Sequence, residues 1–145
     1  MLKAGIIGYG YWGPNILRNF TNNPNIVVKK VCDLSDERLK LINALYPGIE
    51  TSRESDDVLT DTDLDLIAIV TPVFTHYELA KKALLNGKHI FVEKPFTSTS
   101  AQAEELIEIA EKNNLKIMVD HTFLFTGAVQ KIKELIDNKI IGDLI

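Results

Sequence analysis

The stretch GIIGYGYWG, residues 5–13, places four of the chain's eight glycines directly after an opening apolar run and beside two tyrosines and a tryptophan. Gly8, Gly10 and Gly13 fit the spacing G-x-G-x-x-G, and Pro14 follows at a position where proline starts helices well. Such a loop turns sharply after a strand, lets its backbone approach a ligand closely, and feeds a helix whose N-terminal N–H groups and dipole favour a pyrophosphate. A tight turn with close helix packing satisfies the same spacing. The surrounding sequence therefore decides between the two.

Outward from the loop, short β-branched runs alternate with stretches of helical spacing. Leu2 to Ile7, Ile26 to Cys32, Leu64 to Val70, His89 to Val92 and Lys116 to Val119 read as strands buried on both faces, and a weak, short strand is expected near Glu50 and Thr51. Between and after them lie four apolar stripes: Leu39, Ile42, Leu45 and Tyr46; Leu79, Ala80, Ala83 and Leu84; Ala103, Leu106, Ile107 and Ala110; and Val129, Ile132, Leu135 and Ile136. Ser35 is placed to cap the second helix, with Asp36 and Glu37 in its first turn. Asn86-Gly87 and Asn113-Asn114 read as helix ends. Strand and helix in alternation imply an α/β fold, a doubly wound parallel sheet of the Rossmann type with right-handed crossovers, built as a single domain without repeats or linkers.

Composition narrows the chemistry. The 145 residues are 46% hydrophobic and 25% charged, which suits one domain with a substantial core. A net charge of -4 without a basic stripe argues against nucleic acid as a partner. No apolar run is long enough for a membrane span or a secretion signal, so a cytoplasmic location is expected. The single cysteine, Cys32, reads as a small core residue, and neither a disulfide framework nor a metal cluster is expected.

Asp33 ends the second strand, 20 residues beyond Gly13, where a carboxylate accepts hydrogen bonds from an adenosine ribose. Together with the glycine loop it points to a dinucleotide, and its charge would repel a 2'-phosphate, which favours NAD over NADP. Arg38, five residues on, can be a solvated helix residue, a stacking partner for adenine, or a ligand that admits NADP. Of Tyr9, Tyr11 and Trp12, two are expected to pack under the sheet or flank the cofactor. Laid out as parallel strands, the remaining chemistry falls after carboxyl ends: Thr71-Pro72 with His76, Glu93-Lys94-Pro95, and Asp120-His121. His89 starts a strand and reads as structural. His76 can serve its helix's first turn, and His121 can bond a local carbonyl. Lys94 is the sharpest catalytic candidate. Partial desolvation would lower its pKa while Glu93 pushes the other way, and Pro95 fixes the backbone after it, through a cis bond or a trans one. An exposed loop salt bridge is the rival reading, and these residues alone leave both open.

GIIGYGYWGPN, TPVFTHYELAKKALLNGKHIFVEKP and VDHTFLF resemble motifs of the glucose-fructose oxidoreductase, inositol dehydrogenase and MocA (Gfo/Idh/MocA) family of nicotinamide-dependent sugar oxidoreductases. The resemblance runs from residue 2 to about residue 145, and the E-K-P element with the upstream T-P-x-x-x-H is its specific part. It implies a Rossmann domain for NAD(P). Gly8, Gly10, Tyr11, Trp12 and Gly13 would line the pyrophosphate, with Asp33 and Arg38 at the adenosine ribose. Thr71, Pro72 and His76 would run toward the nicotinamide ribose, and Glu93 would reach the nicotinamide end. Lys94 would border the cofactor and contact the hydroxyl being oxidised, and His121 would lie at the substrate edge. Members of the family continue past a segment like IIGDLI into a second α/β domain carrying most substrate contacts and the oligomer interface. The expectation is therefore a cofactor domain, with residues 140–145 beginning the crossover. For the complete protein it implies hydride transfer between nicotinamide and a sugar, nucleotide-sugar or cyclitol carbon. The aromatic loop with Pro14-Asn15 looks most like members acting on nucleotide-linked sugars. A non-catalytic dinucleotide-binding or redox-sensing module and an S-adenosylmethionine-dependent methyltransferase are the rivals.

Overall fold

In the computed structural model, which describes residues 1–140 and 142, six strands form one sheet: β1 (Leu2–Ile7), β2 (Ile26–Cys32), β3 (Glu50–Ser52), β4 (Leu66–Ile69), β5 (His89–Glu93) and β6 (Ile117–Asp120). Their spatial order is β3-β2-β1-β4-β5-β6, and every neighbouring pair is parallel. The chain winds from β1 to one edge, returns to the other side of β1, and winds away again. Strand order thus reverses between β1 and β4, the place where an open α/β sheet leaves a crevice outside its carboxyl ends.

Helices α1 (Gly13–Asn22), α2 (Asp36–Leu45), α3 (Asp56–Leu59), α4 (His76–Leu85), α5 (Ser100–Lys112) and α6 (Gly127–Asp137) follow successive strands. The alternation of strand side chains divides the core into two layers. Ile7, Ile67, Ile69, Ile90 and Val92 pack with α3, α4 and α5 through Leu59, Ala80, Leu84 and Leu106. Ile6, Val31, Ala68, Val70 and Phe91 point the other way, to Ile16 and Leu17 of α1 and Leu39 and Ile42 of α2. A strand covered on both faces can use apolar residues at every position, which is why these strands read as continuous runs.

The expected punctuation is in place. Ser35 caps α2 by accepting from the Arg38 backbone N–H, Asn86 and Asn113 end α4 and α5, and Gly87 and Asn114 take left-handed conformations just beyond them. The strand expected from Leu64 to Val70 is shorter, and short α3 falls where no helix is legible because four residues carry no periodicity. Leu45 and Ile107, at the margins of their stripes, are exposed. The fourth stripe forms a helix, α6, with no residue buried: Ile132 is 55% exposed, and α6 packs mainly on the 3-10 turn Thr122–Phe125 rather than on the sheet. Apart from Ile140 and Gly142, the expected crossover over 140–145 lies outside the described residues.

Gly8 has the tightest surroundings of the chain's glycines. Its φ is +98°, and a Cβ there would stand 2.4 Å from the Val70 carbonyl oxygen of β4's exit. Gly8→Ala is expected to destabilise the chain by about 2 to 4 kcal/mol in urea unfolding, combining backbone strain with a clash against backbone that cannot swing away. Gly48→Ala, with nothing within 4 Å of its added carbon, is the control and should shift stability by no more than about 0.5 kcal/mol. Equal effects at the two positions would refute this account.

Candidate functional site

The glycines of the opening stretch separate into two kinds. Gly5, Gly8 and Gly13 are required by the chain itself: a Cβ would meet Val58 Cγ1 at 2.5 Å, Val70 O at 2.4 Å and Gly8 O at 2.7 Å, respectively. Gly10 is different. Its added carbon would meet only Arg38 Nη1, at 3.9 Å, and its φ does not lie in the left-handed range. Nothing inside the chain calls for glycine there, and its position in the loop after β1 leaves its backbone open to approach from outside. Directly beyond it α1 begins at Gly13 with no side chain capping its N-terminus. A backbone open to close approach, next to an uncapped helix start, is the cradle a pyrophosphate needs.

The three aromatic residues have three fates. Tyr9 is buried in the α1/α2 layer, and its backbone N–H donates to Asp33 Oδ2 at 2.6 Å. Tyr11 is almost wholly exposed and stacks on Trp12 with ring centroids 6.3 Å apart. Trp12 reaches sideways, past the ends of β4 and β5, so that its Nε1 donates to Asp120 Oδ2 on β6 at 3.2 Å.

Asp33 leaves β2 buried and heavily committed. Besides Tyr9, it accepts from the Ser35 N–H at 2.8 Å and from Arg38 Nη1 at 3.3 Å. Two backbone donors fix the carboxylate, whereas the Arg38 side chain is 51% exposed and its bond is long. The acidic group is built in, and its basic partner is at the surface.

On the far side of the switch point, Pro72 opens a 3-10 turn, Val73–Thr75, and the Thr71 and Thr75 hydroxyls share a hydrogen bond at 2.7 Å. His76, at the start of α4, is 1% exposed, and its two ring nitrogens face the backbone carbonyl oxygens of Thr71 at 2.7 Å and Pro95 at 3.0 Å. Its imidazole braces the loops after β4 and β5, leaving no ring nitrogen for a ligand. His89 is structural, accepting from the Lys116 N–H at the opposite edge of the sheet.

The Lys94-Pro95 bond is cis. Lys94 lies exposed just outside the last residue of β5, so the partial desolvation expected for it is not supplied by the described residues. The desolvated group is Glu93 instead. Glu93 is 8% exposed, its Oε2 accepts from the Lys94 N–H at 3.1 Å, and its Oε1 has no hydrogen-bond partner among the described residues. Asp120, also buried, sits directly opposite it in the β5–β6 register. Burial first, and then the facing Asp120 carboxylate, push the Glu93 carboxyl up to about 7, against the smaller opposing pull of Lys94. Lys94, Pro95, Asp120, His121, Thr122, Phe123 and Leu124 line a cleft of about 590 Å³ beside this pair. His121 is exposed there, its backbone N–H bonded to the Val119 carbonyl.

The structure thus brings the glycine loop, Asp33 with Arg38, Thr71-Pro72, and Glu93-Lys94 with His121 to one edge of the sheet, while His76 is withdrawn beneath it. The link from Trp12 through Asp120 to Glu93 is not legible in the sequence, because it depends on which strands are neighbours. No group of three or more His, Cys, Asp or Glu residues among the described residues could hold a metal ion, and no helix among them is long and apolar enough to cross a membrane.

Comparisons agree with this geometry. Residues 2–121 match the Gfo/Idh/MocA model, described as an oxidoreductase family with an NAD-binding Rossmann fold. Inositol 2-dehydrogenase of Salmonella paratyphi B is 34% identical over 97% of this chain and 43% of the relative, and an uncharacterized oxidoreductase of Streptococcus pneumoniae is 28% identical over the whole chain and 39% of the relative. The crystal structure of scyllo-inositol dehydrogenase from Lactobacillus casei with bound NAD(H) and scyllo-inositol aligns with a TM-score of 0.88 at 27% identity, covering 99% of this chain and 43% of that one. The chain therefore spans about two fifths of the length of these relatives. With the loop, the acidic residue and the switch point all in the places that cofactor requires, the chain belongs to the Gfo/Idh/MocA family of oxidoreductases and forms its NAD-binding Rossmann domain.

Proposed function

We propose that this domain serves an NAD-dependent dehydrogenase that transfers a hydride between nicotinamide and a hydroxyl-bearing ring carbon of a cyclitol or sugar. The observation that carries the reading is Gly10, a glycine whose reason lies outside the chain, at the mouth of the crevice between β1 and β4. The named relatives that act on inositols support the substrate class.

Strand order lays out the rest. Asp33, just past β2, accepts from the adenosine ribose hydroxyls, with Arg38 beside it. Gly8, Gly10, Gly13 and the start of α1 hold the pyrophosphate, with Tyr11 and Trp12 flanking it. The other half of the dinucleotide then falls across β4, β5 and β6, over Thr71 and Pro72 toward Glu93 and Lys94. His76 contributes by holding the two loops together. Bound there, the nicotinamide ring supplies the hydride acceptor. Lys94 Nζ, exposed beside the cleft, would hydrogen-bond the substrate hydroxyl oxygen and assist removal of its proton, with His121 at the edge of the cleft where the substrate would sit.

Three outcomes test this. Titration with NADH, followed by quenching of Trp12, should saturate, and Gly10→Ala should weaken NADH about tenfold or more while leaving the thermal midpoint within about 2 °C, since the added methyl obstructs only the ligand. A variant that binds normally would remove the central argument. NADPH should bind about tenfold or more weaker than NADH, because the Asp33 carboxylate is fixed where the 2'-phosphate would come, and equal affinities would mean that Arg38 swings out to meet it. In the intact protein, Lys94→Ala should lower kcat with an inositol or sugar substrate by about 10² to 10⁴ while changing NADH affinity far less. Unchanged turnover would show that Lys94 takes no part in removing the hydroxyl proton.

A further inference from the structure

Of the buried ionisable groups, Asp33 is satisfied by three donors. Glu93 is not. Its Oε1 is buried without a partner, the only such side-chain oxygen or nitrogen found among the described residues, and a second buried carboxyl, Asp120, stands opposite it. Two carboxylates side by side in a poorly hydrated place resist holding two negative charges, so the pair retains a proton where isolated carboxylates would have lost theirs. The neighbours are few. Lys94 follows Glu93 and favours its ionised form, Trp12 Nε1 from the glycine loop donates to Asp120, His121 follows Asp120, and His76 of α4 is engaged with the Thr71 and Pro95 carbonyls. Lys94 lies exposed, so its charge is largely screened by water at the pair.

Trp12 connects this pair to the loop that cradles the pyrophosphate, and strand order puts the pair at the nicotinamide end of the dinucleotide. That ring is positively charged when oxidised and neutral when reduced. A buried site whose own charge changes by one proton distinguishes the two forms. Resting on the cofactor arrangement proposed above, we propose that Glu93 and Asp120 form a charge-sensing pair that holds a shared proton when the site is empty or filled with NADH and releases it to solvent when NAD+ binds. The ionised pair is then the counter-charge of the cationic ring. Acid replaces that proton and cancels the attraction, so the pair makes NAD+ binding pH-dependent and leaves NADH binding nearly indifferent to pH. Asp120 acts here as a positioning residue, through Glu93 and through its bond to Trp12.

The test is calorimetric and needs no turnover. NAD+ and NADH are each titrated in two buffers of different ionisation enthalpy between pH 5.5 and pH 8, so that protons released per ligand bound are counted. NAD+ affinity should rise by up to about tenfold per pH unit on the acid side of the Glu93 titration, where close to one proton is released per NAD+, falling to about half a proton at the midpoint, while NADH affinity changes less than about twofold. Asp120→Asn retains an acceptor for Trp12 Nε1 and removes the second carboxylate. It should still bind both forms, with the window of proton release on NAD+ binding moved to lower pH, because the second carboxylate's push on Glu93 is gone while burial remains. His121→Gln should leave the release in place, which assigns the proton to the pair rather than to the neighbouring imidazole. Binding of both forms without proton release, or release whose pH window Asp120→Asn leaves unmoved, overturns the proposal alone. Failure of NADH to bind at any pH overturns the cofactor arrangement and the proposal with it.

Discussion

The site depends on how the chain leaves β1. Gly8 turns with a positive φ against the Val70 carbonyl, close enough that no other residue could stand there, and its own N–H donates to the Cys32 carbonyl at the end of β2. One residue thereby ties together the ends of three adjacent strands. The consequence is positional: Tyr9 drops into the core and presents its N–H to Asp33, Gly10 is left on the outside with open space around it, and α1 starts immediately after. Were the turn wider, Asp33 would lose one of the two backbone donors that fix it, and the helix start would move away from the crevice.

Electrostatically the two halves of the crevice are built on opposite lines. At β2, a buried carboxylate is stabilised by two backbone N–H groups and a surface arginine. At β5 and β6, two carboxyls face one another with too few donors between them, and among the described residues an indole and one backbone N–H are the donors that reach them. Burial that raises a carboxyl's pKa works against stability: between the ordinary carboxylate range and about 7 the folded chain binds more protons than the unfolded one, so this residue's contribution weakens as pH rises through that window. In the proposed charge-sensing arrangement, that unmet charge demand finds its partner in the ligand rather than in the chain.

Much of this was legible in the sequence, for reasons that differ from residue to residue. The central strands announce themselves because both faces are covered, and Ser35, Asn86-Gly87 and Asn113-Asn114 mark helix ends through local chemistry that neighbouring residues decide alone. The glycine loop and Asp33 were found by spacing. What spacing could not convey was lateral contact. His76 reads as a residue beside a ligand until the fold shows both its nitrogens taken by backbone carbonyls. Lys94 reads as partly desolvated until β5 ends one residue earlier and leaves that condition to Glu93. The Glu93–Asp120 pairing lies 27 positions apart in sequence and exists only because β6 docks on β5 in that register. The stripe on α6 was read correctly as a helix, but burial depends on what covers it, and the sheet does not.

The opening stretch joins these points. Its glycines and aromatics are neighbours in sequence because a single loop must meet demands from several directions at once. Gly5 makes room for Val58 and Leu64, Gly8 makes the turn, Gly13 lets α1 sit against the loop, and Tyr9 fills the layer beneath. Those four face inward and would be needed by any tight strand-to-helix connection. Gly10, Tyr11 and Trp12 face outward: one offers bare backbone, one an exposed ring stacked on its neighbour, and one an indole carried across two strand ends to the carboxyl pair. A purely structural turn has no use for that second set. Its presence within the same few residues makes the loop a physical contact between the start of α1 and the far end of the crevice, where the Trp12 indole meets the carboxyl pair.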